Sequence, residues 1–304
     1  MIDEAIRRLE LALARAGVRG RTRRRLLVEA RDHLLEAAVT NGVEEAVRRF
    51  GEPDEVAGRL AAELATERTR NAAYGGFAAL SAAAAVYLVA TGLIGRAGGW
   101  PDIASGESTA LGVAAALSLV FSPQIAFVAG CLALLRAVRV RRERALPAEE
   151  LGLLRRRTAV ALAAGAATTG SLALWAIEFG SELASWWAPT SLALCAALAV
   201  PLGAAAVATA RSTRLLAPAG GTAGDVFYDL APVLERVEPL RRLGLPGHPW
   251  RFALLVAGTV GLASFAVGWV GEGTPGDGLV RGIAEAAAVL VCFALLGRAL
   301  GLRR

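Results

Sequence analysis

Long apolar runs without any charge are the feature that most limits what this sequence can fold into. A helix needs about 20 apolar residues to cross the roughly 30 Å hydrocarbon core of a bilayer. Five runs contain no charged residue and a sixth contains two, at 72–95, 108–135, 158–177, 183–210, 252–271 and 279–297. We therefore predict an all-α integral membrane protein with a bundle of about six transmembrane helices, in which residues 71–304 form the transmembrane domain.

The arginines are distributed unevenly between the connections, and this predicts the orientation of the chain. The blocks 136–157 and 211–251 hold eight and six arginines, whereas the three alternate connections contain one in total. Short basic connections stay in the cytoplasm. We expect a multi-pass protein of the cell membrane with both termini in the cytoplasm. The formal net charge of +6 is then explained by the topology and by contact with the lipid bilayer, and we expect no direct binding of nucleic acid.

The longest predicted cytoplasmic connection contains an amphipathic pattern of its own. Within 224–243, apolar residues such as Val226, Leu230 and Leu234 recur at helical spacing, with acidic residues between them. This pattern predicts a short helix on the inner membrane surface. Docking of the same helix onto the N-terminal domain is the alternative.

Residues 1–70 predict a small cytoplasmic helical domain, because apolar residues recur there at helical spacing among many charged ones. We expect helices over about 3–16, from an N-cap at Thr22 to about residue 40, and over 44–50. Pro53 suits the first turn of a fourth helix. This last helix is expected to run on into the first membrane span.

Two segments of this domain carry a family resemblance. The first reads Glu-Ala-Arg-Asp-His-Leu-Leu-Glu at 29–36, and the second, within 44–57, joins Glu-Glu-Ala to Phe-Gly-Glu-Pro-Asp-Glu-Val. The pattern resembles the HAAS domain, the helix-turn-helix-associated α-helical signalling domain, and is similar to the permease prefix domain. It covers roughly residues 5–65. The resemblance implies that the domain works with a PadR-like transcription regulator. Unlike permeases with such a prefix, the chain has no segment long enough for a large extracellular domain.

Asp32, His33 and Glu36 are the candidate partner-binding residues. Core packing explains Leu27 and Leu34 of the second helix, but these three polar side chains should lie on its solvated part. Since they belong to the segment that carries the resemblance, we expect them to contact the regulator. Local charge pairs on an ordinary helix surface are the alternative.

The sequence contains no motif that predicts catalysis. It has no Walker loop, no GxSxG and no HExxH, and Cys131, Cys195 and Cys292 lie singly in apolar runs without a second ligand at metal-binding spacing. We therefore expect no enzyme activity, no cofactor and no metal. Arg281 and Glu285, four residues apart in the last span, are expected to pair with each other. A substrate or proton pathway is the alternative for this pair.

The function that we predict is membrane-bound signalling or regulation through the N-terminal domain. The runner-up is the membrane component of a transporter or exporter. Small residues crowd most of the spans, which favours close helix contacts and would allow a homo-oligomer.

Overall fold

The computed structural model describes residues 1–93, 109–213, 215, 249–272 and 275–296. Within these ranges the regular secondary structure is entirely helical, as predicted. The α-helices there are α1 (Ile2–Arg15), α2 (Gly20–Asn41), α3 (Val43–Phe50), α4 (Pro53–Gly92), α5 (Ala110–Arg139), α6 (Ala148–Glu178), α7 (Trp187–Ser212), α8 (Pro249–Glu272) and α9 (Pro275–Leu296). The helix predicted within 224–243 lies outside the described residues.

The first three helices begin and end close to their predicted bounds. Gly42 and Gly51, with φ of 83° and 85°, separate α2 from α3 and α3 from α4. Glycine adopts this left-handed region without steric cost, which explains both breaks. The predicted N-cap at Thr22 is wrong, because α2 already begins two residues earlier. The Thr22 hydroxyl instead accepts a hydrogen bond from Arg68 of α4 at 2.9 Å.

Helix α4 joins the N-terminal helices to the apolar part of the chain without a break. It starts at Pro53, passes its last charged residue at Arg70 and ends at Gly92. Its 40 residues give a length of about 60 Å at 1.5 Å per residue. The prediction that the fourth helix continues into the first apolar run is confirmed.

Four helices in the described ranges are long and apolar enough to cross a membrane. They comprise Ala110–Arg142, Ala148–Glu178, Trp187–Ser212 and Gly278–Leu295. A further apolar stretch in α8, Ala253–Ala266, is shorter than a span. These helices are compatible with a membrane protein, but they are fewer than the six predicted. The run predicted at 72–95 is helical as far as residue 92, yet it is not among the four.

The basic block at 136–157, predicted as a connection, is mostly helical. Helix α5 extends to Arg139 and α6 begins at Ala148, so that residues 140–147 alone join them. Acidic residues fill the first turn of α6, and arginines lie in the last turn of α5. Both arrangements are favourable for the helix dipole. The two helices therefore continue past the predicted ends of their spans, as far as the N-terminal helices.

The hydrophobic core of the N-terminal helices includes residues from beyond the predicted domain boundary. Leu9 and Leu13 of α1 pack in one cluster with Leu146 and Leu151, which are 1% and 0% exposed. Leu215, just after α7, belongs to the same cluster. A fragment that ends at residue 70 would therefore lack part of this core. The division into 1–70 and 71–304 remains a prediction.

The apolar helices form a second core in which small residues permit close contacts. Its buried members include Leu80, Ala129, Leu162, Leu202 and Val289, from α4, α5, α6, α7 and α9. Helices α8 and α9 pack as a hairpin in which Gly261 and Gly282 face each other. A Cβ on Gly282 would lie 2.7 Å from the carbonyl oxygen of Gly261. This contact agrees with the close packing that the small residues predict.

Candidate functional site

Helix α2 carries an apolar stripe that faces solvent. Val28, Leu35 and Val39 are 58, 48 and 90% exposed. Because these positions are seven and four residues apart, they fall on one side of a helix with 3.6 residues per turn. The buried Leu26 and Leu34 point away from this side and into the N-terminal core region. Single exposed apolar residues need no explanation, but a row of them marks a surface for interaction.

Two of the three predicted partner-binding residues border this stripe. Asp32, Glu36 and His33 are all exposed, and their side chains form no hydrogen bond or ion pair within the described ranges. His33 lies about 100° further round the helix than Asp32, so the structure does not bring it to the stripe. We use the name α2 face for the surface formed by Val28, Asp32, Leu35, Glu36 and Val39.

Two arginines of α2 that flank the α2 face are engaged with other partners. Arg31 donates a hydrogen bond to Asp3 of α1 at 3.0 Å, and Arg25 lies 3.3 Å from the carboxylate of Glu29. Exposed pairs of this kind contribute little to stability. Because Arg31 and Arg25 are paired with other carboxylates, those of Asp32 and Glu36 remain available to a partner.

Polar side chains on three successive turns of α4 bind the region between α5 and α6. The N–H group of Leu146 donates to the hydroxyl of the buried Thr66 at 2.9 Å. Arg70 donates to the carbonyl oxygen of Arg141, just after α5, at 2.8 Å. The Tyr74 hydroxyl donates to the carbonyl oxygen of Ala137 at 3.1 Å. We use the name α4 joint for Thr66, Arg70, Tyr74 and these partners. The joint links α4 to the end of α5 and to the connection between α5 and α6.

Comparison with known families gives a match over the N-terminal helices. Residues 6–59 match the HAAS family. The matched segment begins in α1, ends in α4 and contains the whole α2 face, and it confirms the HAAS part of the predicted resemblance. The resemblance to the permease prefix domain stays a prediction. Neither the curated proteins nor the solved structures include one that matches the chain.

Two arginines of the block 136–157, which was predicted as a cytoplasmic connection, are buried. Arg136 and Arg157 are 1% and 0% exposed. The Nε of Arg136 donates to Glu150 at 2.8 Å, and Arg157 donates to the carbonyl oxygen of Leu132 at 3.1 Å. Burial of a guanidinium is costly unless acceptors surround it. The interpretation of this arginine block as a topology signal alone is therefore incomplete, since part of it ties α5 to α6.

A polar pair lies within the apolar bundle. The side-chain amide of Gln124 on α5 donates to the carboxylate of Glu285 on α9. The side chain of Arg281, the expected partner of Glu285, lies outside the described residues. Gln124 also lines a cavity of about 570 Å³, together with the hydroxyl groups of Ser81 and Thr168. An acid in a candidate membrane span is a functional candidate by default.

The described residues contain no group of three or more His, Cys, Asp or Glu side chains that could hold a metal ion. Cys131, Cys195 and Cys292 are free thiols within those ranges. That the protein uses no metal, no cofactor and no enzyme chemistry remains a prediction from the sequence.

Proposed function

We propose that this chain is a membrane-bound signalling protein whose HAAS segment binds a PadR-like transcription regulator. The observation that carries the proposal is the α2 face, an exposed apolar stripe bordered by two carboxylates inside the matched residues 6–59. Solvent exposure of Val39 at 90% has no structural benefit to the monomer. Coverage of the stripe by a partner would remove that apolar surface from water.

The chemistry of the α2 face specifies the kind of surface that would cover it. An apolar helix stripe fits a groove that accepts side chains at positions i, i+7 and i+11. The carboxylates of Asp32 and Glu36 at the border favour basic residues on the rim of that groove. Charge at the rim mainly changes the rate of association and its dependence on salt, whereas the apolar centre determines the affinity.

The α4 joint supplies a route between the regulator and the apolar bundle. Helix α4 is continuous from the HAAS segment into the bundle, and the joint ties it to α5 and to the α5–α6 connection. A change of packing among the apolar helices would therefore move the HAAS segment. We propose that such a change alters how the α2 face presents itself to the regulator.

The binding test uses the full chain in nanodiscs and a PadR-like regulator encoded beside its gene. Changing Leu35→Ser together with Val39→Ser should weaken binding at least about tenfold, as expected for the centre of an interface. Leu11→Ser is the matched control, because Leu11 is 60% exposed on α1 and lies outside the α2 face. This control should bind as the wild type does.

The polar part of the α2 face is tested separately. The variant Asp32→Asn with Glu36→Gln should slow association at low salt and lose most of the salt dependence. His33→Ala should have a smaller effect, because His33 points away from the stripe. If the Leu35 and Val39 variant binds as tightly as the Leu11 control, the α2 face is not the interface. If wild-type protein captures no such regulator, the proposed function is wrong.

We also propose that six helices span the membrane with both termini in the cytoplasm, as the arginine blocks predict. The four candidate spans support the membrane part of this topology. A reporter that is active only outside the cell, fused after Arg304, should be inactive. An active reporter would mean an odd number of spans or the opposite orientation.

One observation favours the runner-up, a transporter or exporter component. The pair of Gln124 and Glu285 lies beside a mostly apolar cavity within the bundle, which Gln124 lines together with Ser81 and Thr168. Transport through this cavity predicts that Glu285→Gln abolishes movement of substrate while regulator binding is retained. An ATPase gene next to this gene, in place of a regulator gene, would favour this second candidate.

A further inference from the structure

A cavity of about 820 Å³, with three arginines in its lining, lies where the HAAS segment meets α4 and α7. Its described lining consists of Gly17, Arg19, Arg68, Asn71, Ala72, Ala208 and Arg211. The three arginines come from three separate parts of the chain: the turn between α1 and α2, the middle of α4 and the end of α7. Arginines that are distant in sequence thus converge on one space.

The positive charge of this cavity is uncompensated within the described residues. No acidic residue is among the described lining, and Arg19 and Arg211 are exposed without an ion pair there. Arg68 is half-buried, and its guanidinium donates to the neutral Thr22 hydroxyl at 2.9 Å. Three guanidinium groups around one cavity repel each other. An anion in the cavity would remove this repulsion.

The position of the cavity indicates where such an anion would come from. Arg68 and Asn71 directly precede the charge-free run that starts at residue 72, and Arg211 lies in the last turn of the candidate span α7. The cavity therefore sits at the same end of two apolar helices. If these helices cross a bilayer, this is the level of the lipid headgroups.

We propose that this cavity binds a phosphate group, held by Arg19, Arg68 and Arg211. Guanidinium groups bind phosphate through two parallel hydrogen bonds, and the Asn71 amide can add a further donor. The phosphate would come from the headgroup of an anionic phospholipid or from free phosphate in the cytoplasm. In either case it would bridge the HAAS segment to α4 and α7, and so fix the HAAS segment against the bundle. This inference does not depend on the identity of the regulator.

The test compares the full chain in nanodiscs of phosphatidylcholine with and without phosphatidylglycerol. Thermal unfolding and lipid retention in native mass spectrometry measure the binding. Arg19→Gln with Arg211→Gln should weaken phosphatidylglycerol binding roughly 25-fold, at about fivefold for each arginine at a membrane surface. Both side chains are exposed, so this variant should fold as the wild type does.

The matched control is Arg24→Gln with Arg59→Gln, which removes the same charge from exposed sites on α2 and α4 that form no ion pair within the described residues. Arg59 lies about 13 Å before Arg68 along α4, which is more than the Debye length at physiological salt. This control should retain phosphatidylglycerol binding. Arg68→Gln provides a third arm, in which the hydrogen bond to Thr22 is lost as well.

The source of the phosphate follows from a second comparison. Stabilisation by phosphatidylglycerol, but not by millimolar inorganic phosphate in phosphatidylcholine nanodiscs, identifies a lipid headgroup. Equal stabilisation by inorganic phosphate identifies a soluble ligand for the same site. The proposal is overturned if neither source stabilises the wild type, or if the Arg19 and Arg211 variant binds both as tightly as the control does.

Discussion

Arg136 of α5 and Glu150 of α6 form an ion pair in which the guanidinium side chain is 1% exposed and the carboxylate side chain 12%. The Nε of Arg136 donates to Glu150 at 2.8 Å. The pair lies beside the α5–α6 connection, whose Leu146 belongs to the core of the HAAS segment. It therefore holds together the two helices on which that core rests.

Loss of one partner of this pair should be costly. Arg136→Met should destabilise the protein by about 3–5 kcal/mol, because Glu150 would keep a buried charge without its partner. Chemical unfolding in detergent measures this change. The double variant Arg136→Met with Glu150→Leu should recover much of the loss, since no buried charge remains. As a control, Arg7→Met breaks an exposed pair with Glu4 and should cost less than about 1 kcal/mol. Equal costs at the two sites would contradict the role of burial.

Leu146 should matter as much to the HAAS segment as the leucines of α1 do. Leu146 is 1% exposed and packs with Leu9 and Leu13, although it lies in the α5–α6 connection. Leu146→Ala should therefore cost about 2–5 kcal/mol. Leu11→Ala, at a 60% exposed position, should cost little. The readout is protease resistance of α1–α3 in the full chain. Resistance equal to that of the wild type would mean that the N-terminal core stands without this connection.

The sequence was sufficient to predict those structural features that depend on local interactions. Charge-free runs locate α5, α6 and α7 because membrane helices are selected by the composition of one continuous segment. Gly42 and Gly51 mark helix ends because the backbone conformation at each depends on that residue alone. The continuity of α4 could be predicted because no proline follows Pro53 before the end of the first apolar run.

Features that depend on distant partners could not be predicted. The sequence of a basic block does not show which of its arginines is buried and paired. Arg136 is paired because Glu150 lies close to it in the folded chain. Leu146 joins a core that includes Leu9 and Leu13, which are more than a hundred residues away in sequence. For the α2 face, Asp32 and Glu36 were predicted, but Leu35 and Val39 were not. Whether an apolar residue of a helix is covered depends on its neighbours in space.

Acidification should lower the stability of the folded HAAS segment around α3. Hydrogen bonds from Arg49 and then from Arg48 lower the pKa of Glu45 below its usual value of 4.5. A carboxyl group with a lowered pKa in the folded state stabilises that state fully above the unfolded pKa. It loses this contribution as the pH falls through the folded pKa. We therefore expect stability to be flat from neutral pH to about pH 5 and to decline below it.

The variant Glu45→Gln tests the origin of this decline. It should be less stable at neutral pH and should lose less on acidification than the wild type, and high salt should reduce the difference. Urea unfolding of the full chain across this pH range, followed by circular dichroism, measures both effects. The same slope in wild type and variant would exclude Glu45 as a source of the acid sensitivity. Glu4, whose pKa is lowered mainly by a hydrogen bond from Arg8, would then be the next carboxylate to test.

The contact between α8 and α9 should tolerate no side chain at Gly282. A Cβ there would lie 2.7 Å from the carbonyl oxygen of Gly261, and this backbone atom cannot move aside without separating the two helices. Gly282→Ala should therefore destabilise the hairpin by about 1–3 kcal/mol, as an overpacked contact does. Gly258 on the same hairpin has nothing within 4 Å of an added Cβ, so Gly258→Ala is the matched control. It should be neutral or stabilising by about 0.4–1 kcal/mol, because alanine restricts the unfolded chain. Thermal unfolding in detergent distinguishes the two variants, and a Gly282→Ala protein as stable as Gly258→Ala would show that α8 and α9 do not pack this closely.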